Sequence, residues 1–273
     1  MTYSYDCPLR WGDMDAQAHV NNAAFVDYLQ EARVAFLHSG PPAMRDLLDN
    51  GVIVAGHQVE YRAPVVYSGR PLRIELWVDQ VGGSRFQLGY LIKDGAEIAV
   101  RAQTIATPYD LEANALRRLT ATERDFLSSH LEPAEPLRPV DSTKITFTGS
   151  GHLHPVRVRW SDLDSYGHVN NVRYYDYVQE ARVALVADLM GGENGGRWVV
   201  VRQDVDYLKP IDFAVEPYLA ETVVTKIGTR SVSLAAEVRD RAGTRYATAR
   251  TVLVADQPIT EPWRSSFSRW AVA

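Results

Sequence analysis

The stretch Arg10-Trp11-Gly12-Asp13-Met14-Asp15-Ala16-Gln17-Ala18-His19-Val20-Asn21-Asn22 returns as Arg159-Trp160-Ser161-Asp162-Leu163-Asp164-Ser165-Tyr166-Gly167-His168-Val169-Asn170-Asn171, an offset of 149 residues. The match continues without a gap through Asp27-Tyr28 and Gln30-Glu31-Ala32-Arg33-Val34-Ala35, against Asp176-Tyr177 and Gln179-Glu180-Ala181-Arg182-Val183-Ala184. Over Arg10–Leu37, 16 of 28 positions are identical in the second copy. Further on, Val59-Glu60-Tyr61 and Pro64 correspond to Val205-Asp206-Tyr207 and Pro210, with the offset slipped to 146 residues. A period this long exceeds a solenoid repeat, so the sequence reads as two whole domains from a duplication.

Each copy has the same order of patterns. A short strand ends near Arg10-Trp11, a polar loop follows, and a helical pattern runs from about Asn22 to His38 with Phe25, Val26, Leu29, Ala32 and Phe36, up to the breakers Gly40-Pro41-Pro42. The period then falls to two. Leu72, Ile74, Leu76 and Val78 alternate with Arg73, Glu75, Trp77 and Asp79; Phe86, Leu88, Tyr90 and Ile92 repeat the pattern, and a third run spans about Glu97–Thr107. The corresponding strands of the second copy are read at Val199–Tyr207, Leu219–Ile227, Val232–Val238 and Tyr246–Val254. One long helix followed by an antiparallel sheet is an α+β layer arrangement, and the breadth of the helix's apolar surface predicts a sheet that wraps it. Thr120-Ala121-Thr122-Glu123 has the form of a capping box opening a short helix. The boundaries expected are a first domain at 1–130, a linker at 131–150 rich in Glu132-Pro133-Ala134-Glu135-Pro136 and Pro139, and a second domain at 151–273 whose tail, with Trp263, Phe267 and Trp270, packs on its body.

Composition narrows the function classes. With 29 Lys+Arg against 34 Asp+Glu, net charge −5, the 273-residue chain has no electrostatic footprint for nucleic acid. One cysteine, Cys7, excludes an internal disulfide and reads as a buried or bystander thiol. No run approaches the roughly 18 apolar residues of a spanning helix, and Met1–Arg10 lacks the make-up of a signal peptide, so no membrane insertion and a cytoplasmic location are expected.

The repeated loop carries the chemistry. It lies between a strand and the start of the long helix, where backbone N–H groups have no partner within the helix and the dipole favours negative charge. That geometry suits the oxyanion formed when a carbonyl is attacked, and a carboxylate a few residues upstream can act as base or nucleophile. A thioester fits so sparse a site because a thiol of pKa roughly 8.5 leaves with little acid help. Trp11–Arg33 and Trp160–Arg182 resemble the signature of hotdog-fold thioesterases of the 4-hydroxybenzoyl-CoA thioesterase type, and also the plant and bacterial acyl-ACP thioesterases, which are tandem hotdogs. The resemblance implies two tandem hotdog domains, each a long helix wrapped by an antiparallel sheet. It places the catalytic aspartate on Asp15 and Asp164, the amide that holds the thioester carbonyl on Asn22 and Asn171, and the loop histidine of the acyl-ACP enzymes on His19 and His168. Gln17 and Tyr166 stand where those enzymes have Asn, so a mechanism using that Asn is not implied.

Each residue also has a structural reading. Asn21 and Asn22 can cap the helix; Asp13 and Asp162 can orient the loop or pair with Arg10 and Arg159; His19 and His168 can be structural hydrogen-bonders. A metal site of Asp13, Asp15 and His19 has no supporting His or Cys cluster. Glu31–Arg33 and Glu180–Arg182 are not spaced as helical pairs and read as helix-surface or interdomain contacts. Gly191-Gly192-Glu193-Asn194-Gly195-Gly196 lacks the ending of a phosphate loop and reads as a flexible turn. Arg62 and Lys209, near strand ends, are candidate contacts for the coenzyme A phosphates. The expectation is therefore an acyl-CoA thioesterase, with coenzyme A entering as part of the substrate and no other cofactor, its two hotdogs forming an intramolecular pseudo-dimer that could pair again into a homo-oligomer. The alternatives are an acyl-ACP thioesterase, a hydratase on the same fold, or a non-catalytic acyl-thioester-binding module.

Overall fold

The computed structural model, which describes residues 1–141, 143–190 and 198–272, folds the chain as two units, Met1–Arg138 and Pro139–Ala273. In the first unit, β1 (Tyr3–Cys7) leads through a 3₁₀ turn at Trp11–Asp13 and the polar loop to α1 (Ala24–His38) and α2 (Pro42–Asn50). Strands β2 (Val52–Tyr61), β3 (Leu72–Val81), β4 (Phe86–Asp94) and β5 (Glu97–Asp110) follow, then the two-residue β6 (Ala115–Leu116) folded back on the end of β5, and α3 (Ala121–Ser129). The strand order is β1-β3-β4-β5-β2, antiparallel throughout. In the second unit, β7 (His152–Val156), a 3₁₀ turn at Trp160–Asp162, α4 (Arg173–Met190), β8 (Trp198–Tyr207), β9 (Tyr218–Ile227), β10 (Ser231–Arg239), β11 (Arg245–Ala255) and α5 (Glu261–Ser268) give the same order, β7-β9-β10-β11-β8.

The two periodicities explain the two layers. On β3 the alternate residues Leu72, Ile74, Leu76 and Val78 are buried, while Arg73 is exposed. Helix α1 buries Phe25, Val26, Tyr28, Leu29, Ala32, Arg33, Phe36 and Leu37. Spacings of three and four put these on one broad face, and each large apolar side chain so buried contributes about 1.5–3 kcal/mol. That face lies against β1 and β3; α4 lies against β7 and β9. Each unit is thus a long helix wrapped by an antiparallel sheet. Within the sheet, Trp77 on β3 covers its cross-strand partner Gly89 on β4: a Cβ at residue 89 would stand 2.5 Å from the indole.

Several boundaries differ from the sequence reading. Helix α1 starts at Ala24, two residues later than the pattern suggested, because the Ala23 amide donates to Asn21 Oδ1 at 2.9 Å and holds residues 21–23 as a turn. Gly40-Pro41-Pro42 ends α1 but also opens α2, with Pro in the first turn where its missing N–H costs nothing. The capping box at Thr120 is present: the Glu123 amide donates to Thr120 Oγ1 at 3.3 Å, and the Thr120 amide donates back to the Glu123 carboxylate at 2.7 Å. The segment 131–138 is tied to the first unit, with the Glu132 amide on Val78 O at 2.9 Å and the Arg138 amide on Glu60 at 3.3 Å. The Gly191–Gly196 turn lies outside the described residues.

The two C-terminal helices are a repeat the sequence did not reveal. After α3, the Val78 amide donates to His130 O (3.0 Å) while Glu132 donates to Val78 O; after α5, the Val224 amide donates to Trp270 O (2.8 Å) while Val272 donates to Val224 O (3.1 Å). Val78 and Val224 occupy the same place on β3 and β9, 146 residues apart. The tail packs through Phe267 into a cluster with Leu185, Val224, Val232, Leu234 and Leu253. Among the described residues, no helix is long and apolar enough to cross a membrane.

Candidate active site

The repeated loop is organised by its own backbone, and in the same way twice. The Asp15 amide donates to His19 O at 2.8 Å and the Asp164 amide to His168 O at 2.9 Å. This closes a tight turn that needs a left-handed residue near its tip. The second copy supplies Gly167 (φ 82°); the first uses Ala18 (φ 61°) and carries the strain of a Cβ there. The turn delivers amides to the carboxylate that opens it: Gln17 N donates to Asp15 Oδ1 at 2.8 Å, His19 N at 3.4 Å, and Tyr166 N to Asp164 Oδ1 at 2.9 Å. Both carboxyls are half-buried. Burial raises Asp164 above the ordinary carboxylate value, against the opposing pull of the Tyr166 and His168 amides and of the His168 ring.

The loop is then anchored at three points. Val20 N donates to Val65 O (2.8 Å) and Val169 N to Ile211 O (2.9 Å), while Asn21 N and Asn170 N donate to Asp13 O and Asp162 O, both at 2.8 Å. Asn21 Oδ1 and Asn170 Oδ1 accept from Ala23 and Val172, each at 2.9 Å, so these first asparagines hold the turn that leads into each helix. Asn22 and Asn171 follow in the turn into the helix, their carbonyls accepting from the Tyr61 and Tyr207 hydroxyls at 2.8 Å. The sequence reading missed these tyrosines, although both stand at equivalent positions ahead of Pro64 and Pro210.

Asp13 and Asp162 are supports. Arg10 Nε donates to both Asp13 oxygens (2.9 and 3.1 Å), and the Tyr28 hydroxyl donates to Asp13 Oδ2 at 2.6 Å. Arg159 meets Asp162 through its backbone amide (2.8 Å), alongside the Tyr177 hydroxyl at 2.8 Å. Burial and the adjacent carboxylate push both phenols far above their usual range, so each acts as a hydrogen-bond donor. The repeated Asp-Tyr of the helix was the available signal, since a tyrosine 15 residues after each aspartate faces back to the loop.

His19 meets the turn through its backbone; His168 Nε2 stands 3.7 Å from Asp212 Oδ1. Arg62 is occupied by Glu60 at 3.0 Å, whereas Lys209 is exposed. Cys7 is buried and its thiol is pushed up to about 11 by burial, which suits a bystander. Among the described residues, no group of three His, Cys, Asp or Glu side chains could hold a metal ion. The helix arginines depart furthest from expectation. Arg33 and Arg182 are buried, on the same helix face as Leu29–Phe36 and Ala181–Leu185, so the helix-surface reading of these positions does not hold.

A sheet-wrapped helix opened by an Asp-x-x-x-His-Val-Asn-Asn loop, built twice in one chain, defines a tandem hotdog protein. The chain belongs to the thioesterase-like superfamily, whose family model matches residues 9–136 and 158–258. Over 119 residues, 41% of this chain, it is 27% identical to the chloroplastic palmitoyl-acyl carrier protein thioesterase of Arabidopsis thaliana and 25% identical to that of Cuphea hookeriana. The match spans 29% of the length of each of those relatives. The fold is shared with the 12:0-ACP thioesterase from Umbellularia californica (TM-score 0.76, 15% identity, 94% of each chain). It is shared too with an acyl-ACP thioesterase from Bacteroides thetaiotaomicron (TM-score 0.68, 14% identity, covering 93% of this chain and 97% of that one).

Proposed function

We propose that this protein hydrolyses acyl thioesters, with Asp15 and Asp164 as the reacting carboxylates. The observation that carries this reading is the doubled turn itself: in both copies a half-buried carboxylate is held by the amides of its own loop, one short turn ahead of a long helix. In the reaction, the carboxylate takes a proton from water as the oxygen attacks the carbonyl carbon. The amide at Asn22 or Asn171 holds the oxyanion; the C–S bond then breaks, and the thiolate leaves and is protonated. His19 and His168 border the turn and would position water or substrate. Coenzyme A is the carrier first expected from the sequence. An acyl carrier protein is the second reading, favoured by the names of the relatives matched, which are acyl carrier protein thioesterases. Lys209 is the exposed cation available to a carrier phosphate, while Arg62 would have to leave Glu60 to serve.

The test is free-thiol release on acyl-CoA and acyl-ACP panels by the wild type, Asp15→Ala, Asp164→Ala and the double variant. Removal of a general base is expected to cost about 10²–10⁴ in rate. Loss in one single variant identifies the working copy; loss only in the double variant identifies two independent sites. Thioester binding without turnover on either carrier would overturn the hydrolase reading.

A further inference from the structure

The duplication shows which features of the second loop are additions to the common plan. His168 Nε2 stands 3.7 Å from Asp212 Oδ1, the two side chains being 40% and 74% exposed. The offsets of the repeat, 149 residues for loop and helix and 146 for the strands, set His19 opposite His168 and Val66 opposite Asp212. The backbone fixes the second equivalence independently. Val169 N donates to Ile211 O as Val20 N donates to Val65 O, so residues 212 and 66 each follow the anchor of their own loop. The first copy therefore keeps the histidine and puts an apolar side chain where the second has a carboxylate.

Two further differences support Asp212. The Tyr174 hydroxyl accepts from Ile211 N at 3.0 Å and donates to Lys209 O at 3.4 Å, and the Tyr218 hydroxyl donates to Asp212 O at 3.0 Å. With the Val169 anchor, these bonds hold the backbone at Lys209, Ile211 and Asp212. Burial, with the nearby Asp212 carboxylate, keeps both phenols above their usual range, so they stay hydroxyls. At the equivalent positions the first copy has Phe25 and Leu72, which carry no hydroxyl. The carboxylate and both of its braces are thus present in one copy and absent from the other. A pair as exposed as His168–Asp212 adds little to stability. What it supplies is a charge held in a fixed place beside the ring.

We propose that Asp212 is a positioning residue for His168: its carboxylate draws the proton of the neutral imidazole to Nε2, directly or through one water, and leaves Nδ1 to accept from the water that Asp164 activates. This rests on the thioesterase reading. The attacking water has two O–H groups. One gives its proton to the Asp164 carboxylate as the oxygen bonds to the carbonyl carbon; the other is held by Nδ1 through the step, so the ring neither gains nor loses a proton. His168 is near enough to Asp164 to oppose, with the loop amides, the upward push of burial on that carboxyl. In the first copy, Val66 offers His19 no such charge.

The experiment measures thiol release from the acyl-CoA and acyl-ACP panels by the full chain carrying Asp15→Ala, so that the second loop works alone. Asp212→Asn, Asp212→Glu and His168→Gln are added singly, and Asp212→Asn also together with His168→Gln. Asparagine keeps the shape of the side chain and the backbone carbonyl that Tyr218 holds. Asp212→Asn is expected to lower kcat roughly three- to tenfold, the rate equivalent of one ordinary hydrogen-bonded contact, with KM within about twofold and the melting temperature unchanged. Asp212→Glu should recover part of the loss, and Asp212→Asn should add nothing once His168 is Gln. Ring-nitrogen NMR of the wild type at alkaline pH should show the His168 proton on Nε2, and Asp212→Asn should shift the balance towards Nδ1. An unchanged kcat, a loss as large without the His168 ring as with it, or a loss that follows a fall in melting temperature overturns the proposal. So does an Asp15→Ala protein without turnover when the wild type hydrolyses. Wild-type turnover with ring signals unmoved by Asp212→Asn sinks the role of Asp212 and leaves the hydrolase reading standing. No thiol release by the wild type from any thioester sinks both, and moved ring signals then show a pairing without catalysis.

Discussion

Replacing Tyr177 by Phe removes one oxygen from the support of the second loop and leaves the ring in place. Asp162 is 8% exposed, and its carboxylate accepts from the Tyr177 hydroxyl at 2.8 Å and the Arg159 amide at 2.8 Å. A hydrogen bond to a charged group contributes about 1.5–3 kcal/mol, and a buried carboxylate stripped of one of two donors should fall at the upper end, about 2–3 kcal/mol. In the first copy, Tyr28→Phe removes the equivalent 2.6 Å bond, but Asp13 keeps both contacts to Arg10. Arg10 is mostly solvent-exposed, so that pair contributes at most about 1 kcal/mol, yet it still solvates the carboxylate. The expected loss in Tyr28→Phe is accordingly smaller, about 1.5 kcal/mol. Converted at about 2–4 °C per kcal/mol, Tyr177→Phe should lower the melting temperature by about 4–12 °C and Tyr28→Phe by roughly half as much. Calorimetry or far-UV melting measures both. A cycle with Asp162→Asn should return a coupling of about 1 kcal/mol or more. Because Asp162 O also receives the Asn170 amide, thioester turnover should drop alongside stability. Equal, near-zero shifts in the two variants, or additive behaviour in the cycle, would refute the idea that these phenols hold the loop.

Other expectations follow from single positions. Gly89→Ala sets a methyl 2.5 Å from the Trp77 ring and should cost about 1–3 kcal/mol by urea unfolding, with partial recovery when Trp77 is also made Leu. Ala18→Gly relieves a left-handed Cβ at φ 61° and should stabilise by about 0.5–1 kcal/mol, less any loss from the freer unfolded chain; the reciprocal Gly167→Ala should destabilise. Asp164 has a folded pKa raised by burial, so the unfolded chain ionises first as pH rises: the stability contributed by the protonated group is present in acid and lost as pH climbs through the raised value. Asp164→Asn should therefore melt higher than the wild type at neutral pH, with the gap closing below the ordinary carboxylate range, while thioester turnover is lost.

The legible parts of the fold were those whose physics is local. The repeated loop could be aligned because its turns are fixed by particular polar residues, and β3 to β5 because half-burial imposes period two on residues such as Leu72, Ile74 and Leu76. Strand β2 of the first copy escaped notice, since Val52-Ile53-Val54-Ala55-Gly56-His57 has no alternation. The start of α1 was misplaced because the Asn21 side chain holds residues 21–23 in a turn, which the apolar pattern does not record. Tyr61, Tyr207 and the buried Arg33 and Arg182 were illegible for a different reason. The tyrosines bond to loop carbonyls 39 and 36 residues away, which no local pattern records, and an arginine in a helix reads by default as surface.

The closing segments after α3 and α5 bear on how the chain is made. Strand β3 offers one edge to β1 as far as Leu76, and at Val78 that same edge is taken by residues 130–132, which leave the ribosome more than fifty residues later. At about 5–20 residues per second, the nascent strand waits roughly three to ten seconds with unpaired amides facing solvent. The second unit repeats the delay, its Val224 edge waiting for residues 270–272. A chain lacking residues 270–272 keeps every strand of the sheet but bares an edge, which is the kind of surface that recruits other chains. For expression and tagging, residues 270–272 therefore act as an edge cover, and deleting them is expected to lower solubility.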